Sequence, residues 1–357
     1  MSEKVPFSSV LNALTNADAK FPARFLKEFS DLLPADVDAL KKAWPQVGLN
    51  RKRNLLRDLN AAYKEDTLLL YDDVAQAFLD DPDALVRAQA IRLLEESSDL
   101  RLLRRLILIG QNDPDVGVRT ETATVLGQFV RLGEEGRVPP ALKRQVEEIL
   151  LRAVRGESDP HLQRAALESL GYSSRPEVPE LIEAAFERPD MHWAASALLA
   201  VSRSFDSRYQ EQVLVALNHE DSQVRLLAVQ AAGELELKTA RQHLLTMIEE
   251  EDDDEVLEAI IWSLSQIGGE DVRDYLQTLL DAATDDDHIE FIEEALANLS
   301  FTEDMEGFDL MAYDPADEDD LRDPSAGSGQ ALDDIDEVLD DPSASSGQAL
   351  DEALDDE

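Results

Sequence analysis

Five histidines, three tryptophans, two dense carboxylate runs and a cluster of arginines are the side chains with chemical potential. A hydrolytic or metal-dependent reaction needs such groups gathered, as imidazoles at i, i+4 on one helix face or as a base beside a nucleophile. The histidines are instead scattered, at His161, His192, His219, His243 and His288, and only His219 is followed by a glutamate, Glu220. The absence of cysteine removes thiolate nucleophiles, disulfides and cysteine-held zinc. There is no glycine-rich phosphate loop, nucleophile elbow or H-x-x-x-H. The acidic run Glu249–Glu255 and the triplet Asp285, Asp286, Asp287 lack the ligand-and-glycine spacing of a calcium loop. Standing ahead of helical stripes, they are expected to cap amide ends. No catalytic, metal-binding or cofactor-binding residue is therefore expected. Arg101, Arg104 and Arg105 are a dense group of cations on a candidate partner surface. Trp193 would anchor a partner if exposed, though a tryptophan opening a packed helix more often belongs to the core.

The elements that position these groups follow from apolar spacing. Between Asp221 and Leu235, the residues Val224, Ala228, Ala231 and Leu235 fall at i, i+4, i+7 and i+11, one face of a helix, with Asp221 ahead as N-cap. The stripe returns 32 residues on as Val256, Ile260, Ser263 and Ile267, and again as His288, Ile292, Ala295 and Leu299. Backwards, His192, Leu162, Val118 and Val86 hold the leading place, making seven copies. Second stripes such as Val272, Leu276 and Leu279 lie between them, so each unit is a helix pair. A period of this size predicts a solenoid.

Some copies open on Asp81-Pro82-Asp83 or Asp113-Pro114-Asp115, and Val86-Arg87, Val118-Arg119 and Val224-Arg225 form equivalent pairs. This D-P-D-x-x-V-R-x-x-A wording resembles the HEAT repeat family, including the bacterial variety also called phycobilisome-lyase-like repeats, over roughly Asp66 to Leu299. The resemblance implies an all-α fold: a right-handed solenoid of about seven helix pairs, its inner face lined by the second helices. It also implies that Asp83, Arg87, Asp115, Arg119, Asp221 and Arg225 bridge neighbouring repeats at the turns. It implies no single activity. Deoxyhypusine hydroxylase resembles the superfamily in fold but needs several His-Glu pairs, and a bilin-lyase assignment would rest on fold analogy alone. With the stripe and the Asp-Arg head given to packing, Gln223, Gln230 and Glu234 remain as outward positions for a partner.

The flanks depart from the period. In residues 1–65, a helical cap, Phe21, Phe25, Phe29 and Leu33 predict a helix stopped by Pro34. Asp36 opens a second helix ending near Trp44-Pro45. A third follows Asn50, with Leu55, Leu56, Leu59 and Ala62 inward and Arg51, Lys52, Arg53 and Arg57 outward. About twelve extra residues between the second and third copies predict a surface loop around Arg131–Pro140. Beyond the solenoid of residues 66–299, the acidic tail 300–357 is expected to be disordered. It carries a duplicated DPSAxSGQALD segment at 323–333 and 341–351. Leu332, Ile335 and Leu339 would share one face of a helix formed on a partner; duplication without a binding role is the alternative.

The net charge is −44 and is unevenly spread. Lys and Arg number 23 against 24 acids through Arg155, 9 against 32 from Gly156 to Leu299, and 1 against 21 beyond. Such a chain repels nucleic acid and anionic lipid unless its basic groups are segregated, and favours a basic partner. No apolar run has signal-peptide or bilayer-spanning length. The expectation is a cytoplasmic, bacterial, non-catalytic scaffold or adaptor that holds a protein or peptide on the solenoid. The alternative is a nucleic-acid-binding module or HEAT-fold enzyme, bilin-lyase-like or glycosylase-like, working through the Arg-rich first half.

Overall fold

Capped helices in register build the molecule. The computed structural model describes residues 5–156 and 158–312, with side chains to residue 304. Among these residues every regular element is helical. The cap holds α1 (Phe7–Thr15), α2 (Pro34–Ala43) and α3 (Leu49–Glu65), and α4 (Asp72–Phe78) leads into the array. Six pairs follow: α5 (Ala84–Arg92) with α6 (Leu100–Asn112), α7 (Val116–Glu134) with α8 (Pro140–Gly156), and α9 (Pro160–Leu170) with α10 (Val178–Phe186). Then come α11 (Met191–Ser204) with α12 (Gln210–Ala216), α13 (Ser222–Glu234) with α14 (Arg241–Met247), and α15 (Asp254–Ile267) with α16 (Glu270–Ala282). A seventh first helix, α17 (Asp286–Ala312), closes the described residues. The fold is an all-α solenoid.

The local causes are those the sequence announced. Asp83 accepts from Val86 N–H at 3.1 Å, Asp115 from Val118 N–H at 3.1 Å, and Asp221 from Gln223 and Val224 N–H at 3.0 and 3.3 Å. Each such cap stabilises its helix by about 1 kcal/mol. Behind the caps the stripes are buried: Val224, Ala228 and Ala231 are wholly inaccessible, as are Ile260, Ala295 and Leu299.

The first helices pack more closely than the second. From α3 through the odd-numbered helices to α15 they form one continuous row, whereas neighbouring second helices touch sparingly, most where α6 meets α8. Glycine makes the row tight. A Cβ on Gly171 would lie 2.7 Å from the Ala200 Cα, and one on Gly233 would lie 2.9 Å from the Ser263 Cα. Buried serines tie the row across: the Ser263 hydroxyl donates to the Val229 carbonyl at 2.9 Å and Ser169 to Ala123 at 2.8 Å.

Several expectations change in detail. Phe25 and Phe29 lie on a 3-10 segment, Ala23–Phe29, which bends at Asp31 (φ 50°); this leaves Leu33 exposed, and Pro34 begins α2 instead of ending a helix. The extra residues near Arg131 lengthen α7 and α8, leaving a short turn at Gly136 (φ 74°). Arg53 and Lys52 are half-buried and partnered instead of standing free: Arg53 donates to Asp83, and Lys52 lies 3.6 Å from Asp81 and 5.0 Å from the Trp44 ring centre. Helix α17 continues past Leu299, where Thr302 donates to the Ser265 carbonyl at 3.3 Å and Arg273 pairs with Glu303. Leu332, Ile335 and Leu339, with the duplicated segment, lie outside the described residues. Among the described residues no helix is long and apolar enough to cross a membrane.

Candidate partner-binding groove

The residues expected to bridge repeats divide their work. Arg87 donates from Nε and Nη2 to Asp113, the first Asp of the next head, at 2.8 and 2.7 Å. Arg225 does the same to Glu251, at 2.7 Å from both nitrogens. Each Arg also holds its own turn, Arg87 on the Asp81 carbonyl and Arg225 on the His219 carbonyl, both at 2.9 Å. Arg119 likewise donates to the Asp113 carbonyl at 2.9 Å. Asp83 both caps α5 and accepts from Arg53, whereas Asp115 and Asp221 cap their own helices. The Arg225 guanidinium beside Glu251 holds that carboxyl below its ordinary range, and Arg87 does so for Asp113 against the opposing effect of burial. These groups are committed to the fold.

Trp193, offered as a partner anchor, is buried at 5% exposure. It occupies the place that Arg225 holds in its own repeat, and Arg188 lies over its ring at 3.7 Å. Core packing has claimed it, which corrects its place on the partner surface. The cations of the first half divide between paired and exposed ones. Arg101 is exposed but donates to Asp99 at 2.9 Å, and Arg105 pairs with Asp80. Arg104 is exposed. Lys143 lies 2.7 Å from Glu134.

The outward positions fare differently. Gln223, Gln230 and Glu234 are all exposed on α13. Gln230 and Glu234 line a groove of about 250 Å³ with Leu226; Gln223 does not. Helix α15 supplies Glu255, Glu258, Trp262 and Gln266 to the same groove, and α17 supplies Phe291. Trp262 is 39% exposed. A second groove of about 520 Å³ adjoins it across Glu258 and Phe291. Apolar Ile248, Leu257, Ile261, Tyr275 and Leu279 floor this one, beside Asp254, Asp285 and Asp287. Six carboxylates thus border the two grooves, and neither is lined by a Lys or Arg.

Sequence reasoning named Gln230 and Glu234 but passed over Trp262. The signal was present: Trp262 and Gln266 stand one 32-residue period after those two positions. Among the described residues no group of three or more His, Asp or Glu gathers as a metal site.

The family model described as HEAT repeats matches residues 211–299. No curated protein matches the sequence. Among solved structures, YibA of Escherichia coli aligns at 16% identity over 79% of this chain and 97% of its own, with a TM-score of 0.45. An engineered protein aligns at 17% identity over 82% of this chain and 88% of its own, with a TM-score of 0.37. Kap95p, from a structure with RanGDP, aligns at 12% identity over 82% of this chain, at a TM-score of 0.41. That alignment spans 45% of the Kap95p chain. Residues 211–299, which contain both grooves, are HEAT repeats.

Proposed function

We propose that the protein is an interaction scaffold whose last repeats hold a basic, partly apolar segment of another protein. The observation that carries this is the pair of adjoining grooves, where aromatic and aliphatic side chains lie among six carboxylates without a lining cation. A basic segment gains there twice, by burying apolar surface and by entering a field of opposite sign. The charge of residues 156–299, 9 cations against 32 acids, extends that field around the grooves and speeds encounter at low salt. The nucleic-acid reading has less behind it, because residues through Arg155 carry 23 cations against 24 acids, and Arg105 and Lys143 pair with carboxylates of their own chain.

The test is a photo-crosslinking residue placed at Gln230, with one at exposed Leu108 on α6 as reference, followed by sequencing of the captured segments. Segments rich in Arg or Lys, captured at Gln230 and not at Leu108, are expected. Acidic segments at Gln230, or the same set at both positions, would overturn the proposal.

A further inference from the structure

If the grooves hold a basic segment as proposed above, their lining also selects which side chain of that segment is gripped. Glu255, Glu258 and Trp262 fall three and four residues apart on α15 and so share one helix face. Of the chain's three tryptophans, Trp44 and Trp193 are 6% and 5% exposed, and Trp262 39%. An indole left that open forgoes burial worth more than any other side chain can offer. Glu234, Glu255 and Glu258 line the same groove, with the amide side chains of Gln230 and Gln266.

An exposed indole in a groove lined by three glutamates suits one kind of group. An ammonium is a compact, strongly hydrated charge with three donors. A guanidinium is planar, sheds water more readily, stacks on indole and carries five N–H donors in a fork that fits carboxylates. We propose that Trp262 is the platform for an arginine side chain of the bound segment, its N–H groups donating to the carboxylates and amide oxygens of the rim. Across Glu258 and Phe291, the Leu257, Ile261 and Leu279 floor takes a neighbouring large apolar side chain. The recognised feature is therefore an arginine beside a leucine-sized residue, not positive charge alone.

The full chain is titrated with short synthetic peptides that carry a leucine next to arginine, lysine or citrulline and are otherwise identical. Acrylamide quenches exposed Trp262 in preference to buried Trp44 and Trp193, so the signal reports on the groove and acids elsewhere in the chain do not feed it. Affinity is measured in parallel by calorimetry. The arginine peptide is expected to shield Trp262, the lysine peptide to bind several-fold more weakly, and neutral citrulline about tenfold more weakly or worse. Trp262→Leu should lose about tenfold in affinity, with part restored by Trp262→Phe. Unchanged affinity in Trp262→Leu, together with weakening by Glu258→Lys, would overturn the anchor and leave the groove standing. Failure of both basic peptides to shield Trp262, with no effect of Glu258→Lys, would overturn both.

Discussion

Arg87 grips Asp113 with two parallel hydrogen bonds, 26 residues along the chain, and Arg225 grips Glu251 at the same separation. The side chains of Arg87 and Asp113 are 11% and 8% exposed, so the pair is shielded from competing water. Two seams far apart in the array are thus closed by one device.

Removing one partner of such a pair strands the other. Arg87→Ala should cost about 3 kcal/mol, read as a lowered urea midpoint, and should leave Trp262 quenching unchanged. A midpoint equal to that of the parent would mean that the seam does not depend on this contact.

Glu251 gives the pH dependence. Its folded pKa is lowered from 4.5, chiefly by the hydrogen bond from Arg225. A depressed carboxylate contributes stability that is present above the unfolded value and lost as pH falls through the folded one. Melts of the parent and Glu251→Gln should therefore differ at pH 7 and converge below 4.5, as the parent takes up its proton. A gap constant across that range would show that the charge of Glu251 is not what matters.

Gly171 tests the tight row of first helices. A methyl there meets backbone atoms of Ala200, which cannot swing aside, so Gly171→Ala should cost about 1 to 3 kcal/mol. Gly156→Ala has nothing within 4 Å and should be neutral or slightly stabilising. Equal melting temperatures for the two variants would contradict the close approach of α9 and α11.

Trp193 separates a packing role from a binding one. Trp193→Ala should lose about 3 to 5 kcal/mol of stability and keep peptide affinity at low temperature. Full stability with lost affinity would restore Trp193 to the partner surface.

Much of the fold was legible in the sequence because its causes are local. Asp221 precedes its stripe by three residues, and a cap with a 3.6-residue period needs no knowledge of neighbours. What escaped depended on distant parts of the chain. Nothing near Arg53 in sequence says that Asp83 waits across the seam, so an outward face was expected where a bridge exists. The close packing of the first helices turned on Gly171 and Gly233 meeting Ala200 and Ser263, again a matter between helices. The groove was half visible: Gln230 and Glu234 were found by subtraction, and Trp262 needed the same subtraction one repeat later.

The repeat of α5 and α6 presents an acid, Asp81, to Lys52 at the seam behind it and a cation, Arg87, to the seam ahead, where it meets Asp113, the residue in the place of Asp81. A unit with that polarity can be copied in tandem without stranding a charge, since each new seam receives one of each. Length can therefore change by whole units during evolution, whereas a cut through the middle of one leaves a lone guanidinium or carboxylate facing its neighbour. The bridge that fastens two repeats also sets the increment by which the array can grow.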